Sequence, residues 1–456
     1  MKNIIEANFE DFMSDLQMLV SIESVYAKDD SPYPFGEKID MALREMLAIA
    51  EKMGFKTYYD PQGYYGYADY GSGETMIGVL GHLDVVPPGD VKHWDNPPFE
   101  VTVKDGRVYG RGVQDDKGPT LTAMYAFKAA VESGIKTDKK VRFIFGTDEE
   151  NLWRCINTDE ENLWRCINRY NELEQIPDYG FTPDANFPLI FAEKGLLQVD
   201  LTAKAVSGIK VSGGDAYNSV PSSITYSSDK ADELAAALDS LGFEYKKEAG
   251  SLTVTGHSAH AKDADKGINA ISRLLMAMDR AGMKTACSNF VTEFINEDAL
   301  ATKIFGECSD EMSGALKFNI GKISMDSEKE VLNIDMRIPV SVSKEFVMEK
   351  LTSAAAIHGF EISENDYLRS IYTPLDSPLV KSLMDAYQEV TGDLKSEPIS
   401  SGGATYARAI DNCVAFGAAF PHSEETEHQP NEYATIEDLK TAMEVYSVAF
   451  QKLLSM

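Results

Sequence analysis

The chain has 456 residues, 43% of them hydrophobic and 25% charged, enough apolar material to bury more than one core. Its 43 Lys and Arg against 73 Asp and Glu leave a net charge of −30, which argues against nucleic acid and anionic membrane surfaces as partners. Five cysteines without a C-x-x-C pair, early acids in the first residues and no long apolar run point to a reduced cytoplasmic protein with neither a secretory signal nor a membrane span.

The elements follow in order. Residues 4–22 carry Ile5, Phe9, Phe12, Leu16, Leu19 and Val20 at helical spacing, and residues 37–53 repeat the pattern before Gly54 stops it. Strand-like runs come next at Tyr64–Tyr70 and Thr75–Leu80, then a helix over 119–132 and a strand at Val141–Phe145. Strands alternating with helices predict an α/β layer with a mixed, largely parallel sheet flanked by helices, whose ligand site lies at the carboxyl ends of the strands. From 196 to 371 the texture changes to longer strand-like runs, with helices at about 230–241, 268–282 and 343–356, and no metal-type motif falls there. After Pro374 the α/β style returns with a helix over Ser377–Thr391. The expectation is one catalytic domain from 1–195 and 372–456, with an α+β domain, 196–371, inserted in it.

One exact tandem repeat interrupts this order. Residues 147–157 and 158–168 both read T-D-E-E-N-L-W-R-C-I-N. At 3.6 residues per turn eleven residues make about three helical turns, so an extra copy nearly preserves helix phase. It also doubles an acidic pair, as Glu149–Glu150 and Glu160–Glu161. The strand Val141–Phe145 runs straight into the first copy, which favours Glu149 and Glu150 over Glu160 and Glu161 as the functional pair.

Five short motifs carry chemistry. His82 and Asp84 stand in G-H-L-D-V-V-P-P-G, Asp115 in Q-D-D-K-G-P, the acidic pair in G-T-D-E-E, Asp184 in T-P-D-A-N-F-P and His428 in E-T-E-H-Q-P-N-E. Each alone has a plain structural explanation: a core histidine with a carboxylate partner, an Asp capping a helix, acids favoured in a first helical turn, a charged surface loop. Together they supply imidazoles and carboxylates suited to Zn²⁺ or a similar divalent ion. A shared carboxylate can hold two such ions about 3.5–4 Å apart and activate a water between them. Residues i and i+2 of an extended segment face the same way, so Asp84 is expected to orient His82. Adjacent glutamates can divide the work, one as ligand and one as general base.

These motifs in this order, together with W-D-N-P-P-F-E, G-R-V-Y-G-R-G-V-Q-D-D-K-G-P, F-A-E-K-G, G-G-D-A-Y-N-S-V-P and S-G-G-A-T-Y-A-R, resemble the co-catalytic di-zinc peptidase family of carboxypeptidase G, aminoacylase and carnosinase, and within it the bacterial dipeptidase V branch. The resemblance implies a metal-dependent dipeptidase acting on small unblocked peptides, with a glutamate as general base. It implies two divalent ions, zinc first and manganese or cobalt as alternatives. Asp115 would bridge them, His82 and Asp184 would complete one, and Glu150 and His428 the other. Glu149 would be the base, Asp84 the residue orienting His82, and Asp115–Asp116 a cis peptide. In the inserted lid domain His260 would stabilise the oxyanion, Arg337 would grip the substrate carboxylate and Asn218 would assist binding; a larger lid that serves its own site implies a monomer. Two alternatives stay open: an N-acyl-amino-acid deacylase on the same scaffold, and a homologue impaired by the doubled T-D-E-E. His422, in F-P-H, departs from the family's pattern and is not expected to be a ligand.

Overall fold

The structure is a computed structural model that describes residues 1–28, 30–136, 138–150, 164–228 and 230–456. Glu160 and Glu161 lie outside the described residues. The chain separates into two units: Met1–Phe191 with Thr373–Ile399 and Thr405–Met456, and Ala192–Tyr372 with Ser400–Ala404. The first boundary therefore falls at 191/192 rather than at 195/196, and the segment 400–404 goes with the second unit. Backbone pairing explains both differences: Ala192 and Glu193 pair antiparallel with Tyr372 and Ile371, and Lys194 N–H donates to Ser401 O at 2.9 Å.

In the first unit the sheet runs in the order Lys56–Tyr59, Gly66–Tyr70, Lys140–Gly146, Met76–His82, Tyr179–Thr182, Cys413–Ala415, followed by the start of Ile190–Glu193, whose last two residues belong to the second unit. Met76–His82 is buried at every residue, as a strand covered on both faces must be, and its sequence, M-I-G-V-L-G-H, lacks the alternation of a half-exposed strand. It lies parallel to Lys140–Gly146 and to Tyr179–Thr182, which is parallel in turn to Cys413–Ala415. The pairs outside this centre are antiparallel. The expected mixed α/β sheet is thus present, with its parallel part confined to the strands that lead into the motifs. Helices Lys117–Glu132 and Ile436–Ser455 pack on one another, and the latter also on Pro378–Thr391. Helix starts follow capping chemistry: the Ser377 and Thr435 side chains accept N–H bonds from Val380 and Asp438.

Two glycines allow close approach around the strand ends. A Cβ on Gly81 would stand 1.8 Å from Thr120 Oγ1, and one on Gly146 would stand 2.2 Å from the Tyr406 ring.

The second unit is built differently. Its main sheet, in the order Val211–Gly213, Lys317–Met325, Lys329–Ile338, Gly195–Lys204, Phe360–Leu368, is antiparallel throughout. Helices Ala231–Leu241, Ala270–Arg280 and Lys344–Ile357 contribute to a separate apolar core.

Candidate metal centre

The register His82↔Gly146 and Val79↔Phe181 lines up the carboxyl ends of three parallel strands. His82 ends one, the turn Thr147–Glu150 follows the second, and Asp184 follows the third just beyond Thr182. Asp115 reaches them from the loop before helix Lys117–Glu132. Its neighbour Asp116 accepts from the His82 N–H at 3.0 Å and from Thr120 Oγ1 at 2.7 Å, which ties this helix start to the strand. The Asp115–Asp116 peptide is cis. Lys117, fully buried, fixes the same helix start by donating from Nζ to Leu19 O at 2.9 Å and Ile22 O at 2.8 Å.

Asp115 is the geometric centre of the cluster. One of its carboxylate oxygens lies 3.0 Å from His82 Nε2 and the other 3.0 Å from His428 Nε2. Asp184 Oδ2 is 3.7 Å from His82 Nε2, and Glu150 Oε1 is 3.1 Å from His428 Nε2. Ligand atoms of His82, Asp115 and Glu150 all lie within 4.8 Å of one another. The side chains expected as ligands are thus brought together, with the Asp115 carboxylate between His82 and His428.

This donor set fits divalent cations. His82 Nε2 and Asp115 Oδ1 are buried and face each other without a hydrogen-bond partner among the described residues, as two lone-pair donors do when they converge on an ion. Carboxylates outnumber imidazoles, and their pKa values register the crowding. Burial, with the charges of Asp115 and other neighbours, pushes Glu149, Glu150 and Asp184 up. Burial also pushes Asp115 up, but His428 and His82 outweigh it and hold its carboxyl well below the usual range. Cations would relieve the excess negative charge.

Asp84 has a role that differs from the expected one. The nearer partner of His82 Nδ1 is the backbone carbonyl of Asp84, at 2.9 Å, while Asp84 Oδ1 is 3.7 Å away. The carboxylate is instead engaged by the N–H groups of Glu149 at 3.2 Å and Glu150 at 2.9 Å. A two-residue spacing reads equally as side-chain or main-chain support, and the turn at 147–150 claims the side chain. Glu149 itself is 7% exposed.

Two residues that the sequence reading passed over join the loops of Asp115 and His428. Glu432, fully buried, accepts N–H bonds from Gly112 at 2.9 Å, Gln114 at 2.8 Å and Asp115 at 3.3 Å, and pairs with Arg111. Burial pushes its carboxyl up to about 7. Gln114 Oε1 accepts from Thr426 N–H at 2.7 Å, and its Nε2 donates to Glu424 O at 2.9 Å. Glu432 closes the E-T-E-H-Q-P-N-E motif; the signal was a glutamate directly before an apolar strand, where a charge needs a partner. His428 has φ 63° and is 48% exposed. His422 pairs with Asp438 at 3.0 Å and lies among none of the ligands.

Within the second unit His260 and Asn218 are neighbours, with Nε2 and Nδ2 3.5 Å apart. His260 Nδ1 accepts from Lys262 N–H at 3.0 Å, which leaves the proton of the neutral ring on Nε2. Burial, with the charge of Arg337, pulls its pKa down to about 4. Arg337 is not free to grip a carboxylate with its whole fork. Its Nε and Nη2 hold Asp335 at 2.7 and 3.1 Å, and Nη1 donates to Gly402 O at 2.8 Å. The alternation of strand Lys329–Ile338 puts Asp335 and Arg337 on one face, so the arginine meets its own strand's acid first.

A strand-end site of this kind, with imidazoles and carboxylates gathered at a shared aspartate, is that of a metallopeptidase-type enzyme. The chain belongs to peptidase family M20/M25/M40, whose model matches residues 78–452. It is 34% identical to "Putative dipeptidase YtjP" of Bacillus subtilis, over 97% of this chain and 97% of that protein. It is 35% identical to a "Putative dipeptidase" of Staphylococcus epidermidis, over 97% and 96%. Solved structures share the fold: human carnosine dipeptidase 1 (TM-score 0.60, 15% identity, 100% of this chain and 98% of that one) and the di-peptidase Dug1p of Saccharomyces cerevisiae (0.61, 14%, 100% and 98%). No helix among the described residues is long and apolar enough to cross a membrane.

Proposed function

We propose that the protein is a metal-dependent dipeptidase that hydrolyses small peptides with a free amino end and a free carboxylate. The observation that carries this reading is the convergence of His82, Asp115 and Glu150 within 4.8 Å, with the buried Glu149 directly before Glu150 in sequence. Two divalent ions, zinc first and manganese or cobalt as alternatives, would polarise the scissile carbonyl and acidify an attacking water when bound. His82 and Asp184 would hold one ion, Glu150 and His428 the other, and Asp115 both. The Asp84 carbonyl keeps the proton of His82 on Nδ1, so that Nε2 offers its lone pair. Glu149 takes the proton from the attacking water and returns it to the departing amine, and its burial favours the protonated form it must pass through. In the second unit Asn218, His260 and Arg337 are the proposed substrate-binding groups, His260 as a neutral Nε2–H donor for developing negative charge and Arg337 through what its pair with Asp335 leaves available. The large second unit supports a monomer, which sedimentation tests.

The deciding experiment is a panel of dipeptides set against acetyl- and succinyl-amino acids, with added Zn²⁺, Mn²⁺ or Co²⁺. Turnover of dipeptides is the expected result. Turnover of acylated amino acids with dipeptides left intact would overturn the substrate assignment in favour of a deacylase.

A further inference from the structure

The tandem repeat gives the chain two identical sets of side chains, and the structure draws on both. Thr147, Asp148, Glu149 and Glu150 come from the first copy; Trp164, Arg165, Cys166, Ile167 and Asn168 come from the second. These two groups meet. Arg165 Nε lies 3.1 Å from Asp148 Oδ2, and the Arg165 backbone N–H donates to the same oxygen at 3.2 Å. The Thr147 N–H donates to Cys166 Sγ at 3.4 Å, and that sulfur is 3.0 Å from the Tyr406 hydroxyl. The Trp164 ring meets Tyr406 edge-on at 5.3 Å, and the Arg165 guanidinium lies over the Phe35 ring at 4.7 Å.

The base of this arrangement is anchored by side-chain bonds. Helix Arg165–Leu173 is fixed by Arg169 to Asp60 at 3.0 and 3.1 Å and by Asn171 to Ala409 O at 2.7 Å. The acidic turn 147–150 is therefore gripped twice. Asp84 holds the N–H groups of Glu149 and Glu150 from the strand end, and Arg165 with Cys166 holds Asp148 and Thr147 from the helix start. The Asp148 side chain is 3% exposed, so removing the guanidinium takes a neutralising charge from a buried carboxylate directly beside the proposed base.

We propose that the repeat works as a composite in which the first copy supplies the carboxylates of the metal centre and Arg165 of the second copy is the positioning residue that aims them. This rests on reading Glu149 as base and Glu150 as ligand. The identical arginine of the first copy, Arg154, lies outside the described residues and serves as an internal control, because it has the same chemistry eleven positions away. The composite also predicts what can be removed. Excising 151–161 joins Glu150 to Asn162 and regenerates a single T-D-E-E-N-L-W-R-C-I-N, leaving Thr147–Glu150 and Trp164–Asn168 in the chain while Arg154 is removed.

The test compares Arg165→Ala, Arg165→Lys, Arg154→Ala and the excised chain by dipeptide kinetics and by Co²⁺ titration followed in the visible spectrum. For Arg165→Ala the expected result is a fall in kcat of about 10- to 100-fold with KM little changed, since misplacing a reacting group by about 1 Å costs on that order. Co²⁺ affinity should fall by about tenfold, as when a ligand loses its support. Arg165→Lys should recover part of both, while Arg154→Ala and the excised chain behave as the parent. The proposal is overturned by Arg154→Ala showing the losses in place of Arg165→Ala, by Arg165→Ala lowering only Tm, or by a folded excised chain that loses both readouts. Should the parent hydrolyse no dipeptide, the functional reading fails, and the Co²⁺ titration alone still decides the clamp.

Discussion

In the first unit Asp84, Asp115, Asp116, Glu149, Glu150 and Asp184 gather around His82 and His428. In the second, the buried Arg337 is answered on its own strand by Asp335, to which Gln198 Nε2 adds a bond at 2.9 Å. One group of charges is left unbalanced and the other is closed on itself. An unbalanced buried cluster must take up protons or draw the missing charge from something bound, and two imidazoles among the carboxylates make the first read as a metal centre. A closed pair contributes first to the fold, and the substrate role proposed for Arg337 must work through what its bonds to Asp335 and Gly402 leave available. The difference thus separates a cluster that calls for a bound charge from a pair that supplies its own.

Four measurements sharpen or break this contrast. Glu149→Gln should lower kcat by about 10²–10⁴-fold, the usual contribution of a general base, while Co²⁺ binding survives; full activity in this variant would remove Glu149 from the mechanism. Arg337→Met should destabilise the second unit by about 3–5 kcal/mol, because it leaves Asp335 buried without its counter-charge. Urea unfolding reads this out, and replacing both partners by apolar residues should recover most of the loss; unchanged stability would show that the pair is not closed as described. Glu432→Gln weakens the support of the Asp115 loop and should cost about 10- to 100-fold in metal affinity, measured by competition with a chelator; unchanged affinity would make Glu432 a purely structural acid.

The smallest effect concerns pH. Burial pulls His260 down to about 4 and pushes Asp366 up to about 7. Between these values the unfolded chain binds the histidine proton that the folded chain refuses, so the His260 contribution falls as pH falls from about 6.5 to 4. Asp366 acts oppositely: the folded chain keeps a proton that the unfolded chain releases, and that contribution is lost as pH rises toward 7. Asp366→Asn should therefore expose stability that rises with pH across this window, and His260→Gln stability that falls. Parallel profiles in the two variants would contradict the assignment.

Much of this was legible in the sequence, for physical reasons that differ by residue. Helical spacing of Ile5, Phe12, Leu16 and Leu19 predicted a helix over 4–22, and the structure has Lys2–Ser21. The short apolar run before His82 predicted a buried strand, found as Met76–His82. His82, Asp115, Glu150, Asp184 and His428, the proposed ligands, could be picked out because a metal site draws on particular residue types in particular local settings. Glu432 and Gln114 were not, because what they do is accept and donate main-chain bonds between segments some 300 positions apart, and no local pattern encodes that. The antiparallel flanks of the sheet escaped for the same reason: strand direction depends on which partners meet. Asp84 was recognised as a supporting residue, but which of its oxygens faces His82 depended on a competing claim from the turn at 147–150.

The clearances at Gly81 and Gly146 have a consequence for how such a protein changes over time. A survey of every substitution would find these two positions as intolerant as His82, although neither carries an atom that could react. Alanine at 81 collides with Thr120 and alanine at 146 with Tyr406. Part of what heredity must preserve at this centre is therefore empty space, and a tally of invariant positions would credit chemistry to residues whose contribution is to withhold a methyl group.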